Sequence, residues 1–204
     1  MSFGSDEMAA AREAGRIVRK VLNEVEAFVA PGVSTWQIDR LGRKIIAAEG
    51  ALPSFLGFNG YPAALCVSVN SEVVHGIPRK DRILREGDLV SVDVGAFKNG
   101  FHGDAADTFP VGTVIPLALK LIDVTRRARD LGIAAAVSGG RLGDIGAAIQ
   151  EEVERNGFSV VRELVGHGIG RKLHEKPQVP NYGTRGRGMR LPDGMLLAIE
   201  PMVN

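Results

Sequence analysis

The sequence is poor in cysteine, long apolar runs and net charge. Cys66 is the single cysteine among 204 residues, which rules out an internal disulfide framework and suits a reducing compartment. No apolar stretch reaches the ~18 residues of a membrane-spanning helix, and the N-terminus lacks the basic segment and apolar run of a secretory signal. These absences predict a cytoplasmic protein that has no membrane partner.

The charges nearly cancel, since 25 basic and 24 acidic residues leave a net charge of +1. No long-range field therefore favours a nucleic acid or a membrane surface. With 45% hydrophobic residues, a chain of this length can bury a sizeable core. We expect one compact domain over residues 1–204.

Two helices are predicted at the start of the chain. Ser5 is the expected cap of the first, whose apolar residues recur at helical spacing as far as Phe28. The second follows Ser34-Thr-Trp-Gln37, which has the form of a capping box, and Gly50 is its expected stop. Both helices should bury one face.

Short β-rich runs follow, and they are separated by Gly, Asn and Pro signals that predict strands of one sheet. Helical periodicity returns over residues 117–136 and 144–156. The predicted strands are Leu65–Val69, Leu89–Val94, Phe101–Phe109, Val160-Val161 and Met195–Ile199.

This order of helices and strands occurs twice, which indicates an internal duplication. At an offset of 107 positions Arg19 matches Arg126, Gly32 matches Gly139, Ile38 matches Ile145, and Gly50 matches Gly157. The pattern predicts an α+β fold with two related halves, roughly residues 6–112 and 113–204, around one antiparallel-rich sheet.

Two carboxylates lie in a predicted hairpin that turns near Lys98-Asn-Gly100. Folding there places Asp93 almost opposite Asp104, and two carboxylates on one face repel unless a proton or a cation lies between them. A register slip would instead put them on opposite faces and leave one solvated. The hairpin alone gives these two readings equal weight.

Further candidate ligands favour the metal. His167 and Glu200 each lie in an apolar context, where an unpaired polar group is costly. Carboxylates with a single imidazole are typical of a two-metal hydrolytic site rather than structural zinc. His75 and His174 lie in loops beside Gly or close to Pro, where functional groups are often presented.

Together these segments resemble type I methionine aminopeptidases over essentially the whole chain. Val73-Val-His-Gly-Ile-Pro78 and Pro177-Gln-Val-Pro-Asn-Tyr182 favour that family. Gly166-His-Gly-Ile-Gly170 and Ile199-Glu-Pro201 are also similar to segments of aminopeptidase P and prolidase. A proline-directed aminopeptidase of the same fold is therefore the alternative among hydrolases.

The resemblance implies the duplicated pita-bread fold and two divalent metal ions, drawn from Co, Mn, Fe, Ni or Zn. It implies that Asp93, Asp104, His167 and Glu200 bind them, and that His75 and His174 contact an N-terminal methionine peptide or a nascent chain. In such a mechanism a metal-bridging hydroxide attacks the scissile carbonyl, Glu200 handles the proton, and His174 donates to the developing oxyanion.

The resemblance also implies an apolar methionine pocket. Phe58 and Leu173 depart from the pattern, because other members commonly carry Tyr and Phe there. A thioether suits such a pocket, since sulfur contacts aromatic ring edges favourably. The residues expected to line it are Phe55, Phe58, Tyr61, Cys66 and Leu173.

The family pattern continues beyond Asn204 with further strands, a second ligand glutamate and a Trp, so we expect the chain to be truncated at its C-terminus. A catalytically impaired binding protein of this fold is the alternative outside the hydrolases. The basic loop Arg185-Gly-Arg-Gly-Met-Arg190 is the candidate for a transient ribosome contact, against the plainer reading of a solvated loop.

Overall fold

The computed structural model describes residues 2–204, which form two compact units. The first unit comprises Ala9–Pro116 and Gly170–Leu173. The second comprises Leu117–Ile169 and His174–Asn204, together with the N-terminal residues up to Met8. Within residues 2–204, no helix combines the length and the apolar character needed to cross a membrane. The helices are α1 (Ser5–Phe28), α2 (Thr35–Ala48), α3 (Pro116–Ala135) and α4 (Leu142–Arg155).

Helix α2 begins with the capping box that the sequence predicted. The backbone N–H of Gln37 donates to Oγ of Ser34 at 3.2 Å, and the backbone N–H of Ser34 donates to Oε1 of Gln37 at 2.8 Å. These bonds satisfy backbone donors that the first helical turn leaves without partners. Gly50, at φ +63°, follows the helix end as predicted.

Helix α1 begins one residue earlier than predicted. Ser5 is already helical, so its assignment as the cap was wrong. The carbonyl of Gly4 accepts from the Met8 N–H at 2.9 Å, and the Gly4 N–H donates to Oε2 of Glu7 at 3.0 Å. Glu7 thus reaches back to Gly4, which occupies the cap position.

The first unit holds a four-stranded antiparallel sheet with β3 at its centre. Its strands are β1 (Leu52–Pro53), β2 (Leu65–Val69), β3 (Leu89–Lys98) and β4 (Phe101–Pro110). The three strands predicted for this part of the chain, β2, β3 and β4, are confirmed, and β3 is longer than expected. Apolar side chains from α1, α2 and the sheet form one buried core, in which each fully buried large side chain contributes roughly 1.5–3 kcal/mol. Its members include Val21, Leu22, Val25, Ile38, Ile46, Leu65, Val67, Val92, Val94 and Phe109.

The second unit holds a three-stranded antiparallel sheet in the order β6-β5-β7. Its strands are β5 (Gly166–Gly168), β6 (Glu175–Val179) and β7 (Leu197–Ala198). Strands β5 and β6 were not predicted because Gly, Pro, Lys and Glu are weak strand formers. Val160, a predicted strand residue, forms an isolated bridge with Val203. The core of this unit includes Val124, Ala128, Ile145, Ile149, Val153, Val179 and Leu191.

Equivalent backbone hydrogen bonds recur 107 positions apart. The Gly32 N–H donates to the Leu84 carbonyl and the Gly139 N–H donates to the Leu191 carbonyl, each at 2.9 Å. Helices α2 and α4 each contain 14 residues, and in both the backbone N–H before the helix donates to the side chain three positions later, Ser34 to Gln37 and Arg141 to Asp144, each at 2.8 Å. The two units therefore repeat one local architecture, as a duplicated fold requires.

The mixed α/β architecture with antiparallel strands is confirmed, but the described strands form two sheets where one was expected. Each repeat forms its own sheet: β3 is the central strand of the first sheet, and β5 is the central strand of the second. The single-domain boundary at residues 1–204 and the repeat division near residue 112 stay predictions.

Candidate metal centre

Asp93 and Asp104 lie on the paired strands β3 and β4 but are not opposite each other. Asp93 pairs with Ala106, and Asp104 pairs with Gly95. The prediction that the carboxylates stand almost opposite was therefore wrong by a two-residue offset. Because residues two apart on a strand share a face, the carboxylates still lie on the same face, at diagonal positions about 7–8 Å apart.

The offset follows from the two-residue turn at Asn99 and Gly100. Direct opposition of the two aspartates would require Lys98 and Asn99 as the central turn residues. Both central positions have positive φ, +51° at Asn99 and +83° at Gly100, which is typical of a type I′ turn. Asn and Gly tolerate this backbone conformation and Lys does not, so the sequence chooses the register.

Phe55 covers the sheet beside Asp104. A Cβ at Gly95, the residue opposite Asp104, would lie 2.7 Å from both Cε1 of Phe55 and Cβ of Ser54. Cross-strand partners share a face, so Phe55 packs on the face that carries the carboxylates. His102, on the same strand as Asp104, shares a 2.9 Å hydrogen bond with the Ser54 hydroxyl.

Cys66 and Tyr61 border the same carboxylates. Cys66 pairs with Asp93 across β2 and β3, so it shares the face of that aspartate. The Tyr61 hydroxyl donates to the Gly76 carbonyl at 2.9 Å. The pKa of the Cys66 thiol is raised to about 12, chiefly by burial and also by the negative charges of Asp93 and Asp104, against a lowering hydrogen bond from Tyr61. Burial likewise raises the pKa of Tyr61.

The other two predicted pocket residues are placed differently. Phe58 is 39% exposed and begins a short 3₁₀ turn, Phe58–Gly60. Leu173 is 3% exposed and belongs to the first unit. Their pocket roles stay predictions.

His75 is exposed and has a left-handed backbone, with φ +59°. Its neighbour Gly76 is pressed against β2, because a Cβ there would lie 2.3 Å from the Val67 carbonyl. The Gly76 N–H also donates to the Ser68 hydroxyl at 3.0 Å. A non-glycine residue at positive φ is strained, and such strain is frequent at functional sites.

His167 on β5 directs its second ring nitrogen at Glu200. Nδ1 lies 2.9 Å from the Gly168 carbonyl oxygen, which can only accept, so Nδ1 is the donor in that bond. Nε2 lies 3.1 Å from Oε1 of Glu200. In the neutral ring the Nε2 lone pair then faces a carboxylate oxygen. Metal-ligating histidines commonly have this arrangement, donating one N–H to a backbone carbonyl.

The Glu200 carboxylate fits a cation at this position. Oε1 is buried and has no hydrogen-bond partner among the described residues, although Nε2 of His167 is close. His167 and Glu200 both offer ligand atoms to a group that can hold a metal ion. One imidazole with oxygen ligands suits borderline and hard divalent ions. A buried oxygen that faces a ring nitrogen without a hydrogen bond is therefore consistent with a metal site.

His174 lies beside His167. The ring centroids are 4.2 Å apart at an interplanar angle of 82°, an edge-to-face contact. The His174 residue is exposed and immediately precedes β6. The second unit therefore brings together three of the predicted site residues, His167, His174 and Glu200.

Asn181 also contacts this group, and its role was missed from the sequence. Its Nδ2 donates to the backbone carbonyl of Glu200 at 2.8 Å, and the residue is 0% exposed. No local sequence pattern marks this contact, because the amide and the carbonyl that it bonds are 19 positions apart.

The fold and the candidate centre define a duplicated metallohydrolase, and comparison with known proteins agrees. The model of metallopeptidase family M24 matches residues 9–204. The chain belongs to this family. It is 53% identical over 193 residues to a methionine aminopeptidase of Clostridium acetobutylicum, covering 95% of this chain and 77% of that protein. Over 198 residues it is 50% identical to methionine aminopeptidase 1 of Bacillus subtilis, covering 97% and 79%.

Solved structures show the same likeness. The methionine aminopeptidase of Thermotoga maritima matches with a TM-score of 0.96 and 46% identity, covering 100% of this chain and 82% of that one. The prolidase of Pyrococcus furiosus matches with a TM-score of 0.80 at 20% identity, covering 97% of this chain and 56% of that one. The second likeness shows the shared fold alone.

Proposed function

We propose that this chain is a metal-dependent aminopeptidase that removes the N-terminal methionine from peptides and nascent proteins. The observation that carries the proposal is the approach of Nε2 of His167 to the buried, unbonded Oε1 of Glu200. Membership of the M24 metallopeptidases supports metal-dependent peptide hydrolysis. Relatives at 50–53% identity that are named methionine aminopeptidases support methionine as the released residue.

The proposed ligands are Asp93, Asp104, His167 and Glu200, and the proposed cofactor is a pair of divalent ions chosen from Co, Mn, Fe, Ni and Zn. The shared face of Asp93 and Asp104 on β3 and β4 supports this set. His167 and Glu200 add an imidazole nitrogen and a carboxylate oxygen. Three carboxylates can neutralise most of the charge of two divalent ions, which accounts for their occurrence together.

When bound, the ions would polarise the scissile carbonyl and lower the pKa of a water molecule. Glu200 would accept the proton from the attacking water and pass it to the departing amine, because its carboxylate lies within the candidate centre, 3.1 Å from Nε2 of His167. His174 would donate a hydrogen bond to the oxyanion, since its exposed ring lies against His167. His75 would contact the substrate backbone from its strained loop.

The methionine side chain would occupy the apolar surface formed by Phe55, Tyr61 and Cys66, with Phe58 and Leu173 as further contacts. Phe55 and Cys66 share the face of the two aspartates, which supports their assignment. The Cys66 thiol is protonated at neutral pH because burial raises its pKa to about 12. It therefore offers an uncharged, polarisable contact to a thioether.

The remaining proposals concern the cellular setting: a cytoplasmic monomer that meets emerging chains, with a transient ribosome contact through Arg185–Arg190. Two of the three arginines in this loop already make contacts within the chain, which weakens the case for a ribosome contact through them. Arg185 is already paired with Glu151 at 2.6 Å, and Nε of Arg190 donates to the Gly139 carbonyl at 3.1 Å. Arg187 is the residue of this loop to test first.

The test is methionine release from Met-Ala-Ser, with the protein first stripped by a chelator and then supplied with each metal in turn. We expect release only after metal is restored, and no release by His167→Ala. Release of alanine from the matched peptide Ala-Pro-Ser would distinguish a proline-directed aminopeptidase from a methionine aminopeptidase. Absence of release from Met-Ala-Ser with Co, Mn, Fe, Ni and Zn would reject the proposal and leave the impaired binding protein as the better account.

A further inference from the structure

We propose that Asn181 is a positioning residue, which holds the Glu200 backbone so that the Glu200 carboxylate can bind metal. The proposal rests on the function proposed above. It assigns to this chain a supporting contact that lies outside the ligand set, and it concerns only residues of the second unit.

Glu200 lies where the strand ladder is interrupted. β7 ends at Ala198, and the next bridge joins Val203 to Val160. Between these points the Val161 N–H donates to the Met202 carbonyl at 2.9 Å. The Glu200 carbonyl accepts instead from a side chain, Nδ2 of Asn181, at 2.8 Å. The Asn181 amide therefore satisfies the Glu200 carbonyl, as a backbone N–H of a neighbouring strand satisfies a carbonyl within a sheet.

Asn181 is itself held firmly. It is 0% exposed, and the segment around it presses against α4, because a Cβ at Gly146 would lie 2.3 Å from the Tyr182 carbonyl and 2.8 Å from the Pro180 carbonyl. On the other side, a Cβ at Gly166 would lie 2.3 Å from the Ala198 carbonyl. The backbones on either side of the bond thus approach closely and leave the Asn181 amide little freedom.

The orientation of the amide is also determined. Turning it over would place Oδ1 against the Glu200 carbonyl, and two acceptors would then repel. In the observed orientation Oδ1 is buried without a hydrogen-bond partner among the described residues, as is Oε1 of Glu200. An unsatisfied buried acceptor lowers stability. The bond donated to the Glu200 carbonyl accounts for an asparagine at this position despite the unsatisfied Oδ1.

The test compares Asn181→Leu with a matched control, Asn156→Leu. Asn156 makes a bond of the same type at the end of α4, where its Nδ2 donates to the Glu152 carbonyl at 2.8 Å and also to Oε1 of Glu152 at 3.1 Å. Co²⁺ affinity is measured by calorimetry on chelator-stripped protein, and Tm is measured on the same samples. Loss of an outer contact to a metal ligand typically weakens metal affinity about 10–100-fold.

For Asn181→Leu we expect a Kd for Co²⁺ raised about 10–100-fold, with a Tm shift no larger than that of the control, because the substitution also removes the unsatisfied Oδ1. Asn156→Leu should lower Tm and leave the Kd unchanged. If Asn181→Leu does not fold, Asn181→Ala, which adds no methyl groups, gives the same comparison. An unchanged Kd in a folded Asn181 variant would overturn the inference, whereas failure of the unsubstituted chain to bind Co²⁺ would overturn the proposed function.

Discussion

Nε2 of His167 lies 3.1 Å from Oε1 of Glu200, and the other ring nitrogen of His167 bonds the Gly168 carbonyl. With the ring neutral, two acceptor atoms face each other in a partly buried setting, where the side chains are 12% and 30% exposed. Such a contact is stable when a proton or a cation lies between the atoms and unfavourable when nothing does. The metal-free and metal-loaded proteins should therefore differ in stability in a way that depends on these two residues.

Replacement of Glu200 by Gln should abolish the stabilising effect of metal. Without metal, the amide can donate to Nε2 of His167, adding a hydrogen bond of about 1 kcal/mol, which corresponds to a rise in Tm of roughly 2–4 °C. With Co²⁺, the Tm of the original chain should rise and that of Glu200→Gln should stay unchanged, as calorimetric scans can measure. A variant that Co²⁺ still stabilises would show that Glu200 is not a ligand.

Replacement of His174 by Ala should reduce turnover without weakening metal binding. The ring contacts His167 by its edge and is exposed, so its loss leaves the ligand atoms in place. Removal of one oxyanion donor typically lowers kcat about 10²–10³-fold. Steady-state kinetics on Met-Ala-Ser and Co²⁺ calorimetry check the two halves of this prediction. A large loss of Co²⁺ affinity would place His174 among the ligands instead.

Replacement of Gly100 by Val should destabilise the β3–β4 hairpin and disturb the register of Asp93 and Asp104. A β-branched residue is strongly disfavoured at φ +83°, so we expect the free energy of unfolding to fall by about 1–3 kcal/mol in urea titrations. Gly15 is the control, because it lies in α1 with nothing within 4 Å of an added Cβ. Gly15→Ala should raise stability by about 0.5–1 kcal/mol. Equal effects of the two substitutions would contradict the turn assignment.

The Cys66 thiol should resist alkylation in the folded protein. Cys66 is 5% exposed and burial raises its pKa to about 12, so the reactive thiolate is scarce at pH 8. The folded pKa lies above the unfolded value of about 8.5, so its contribution to stability is complete below that pH and is lost as pH rises towards 12. Mass spectrometry after iodoacetamide treatment should detect modification in urea and little in buffer. Equal labelling in both would show an accessible thiol.

The sequence predicted the helices and the long strands well because their signals are local. The capping box at Ser34 and the apolar periodicity of α1 need no tertiary information. The register of Asp93 and Asp104 was missed by two residues, since it depends on which pair of residues takes positive φ in the turn. The register follows from the turn residues, because Gly100 tolerates positive φ and Lys98 does not.

The second half of the candidate site could not be derived from local pattern. His167 lies on the very short strand Gly166–Gly168, and Glu200 lies two residues after the end of the strand Leu197–Ala198, so neither segment has enough periodicity to predict its pairing. The family resemblance implied that His167 and Glu200 bind the same metals. The 3.1 Å distance between Nε2 of His167 and Oε1 of Glu200 depends on the order of the strands in the sheet. The role of Asn181 was missed because a side-chain bond to a backbone carbonyl 19 positions later has no sequence signature.

Metal binding by His167 and Glu200 is tested most directly by a crystal structure of Co²⁺-soaked protein with anomalous data collected at the cobalt edge. We expect an anomalous peak about 2.0–2.2 Å from both Nε2 of His167 and Oε1 of Glu200. No peak at these atoms in protein that has bound cobalt elsewhere would show that the two residues are not ligands.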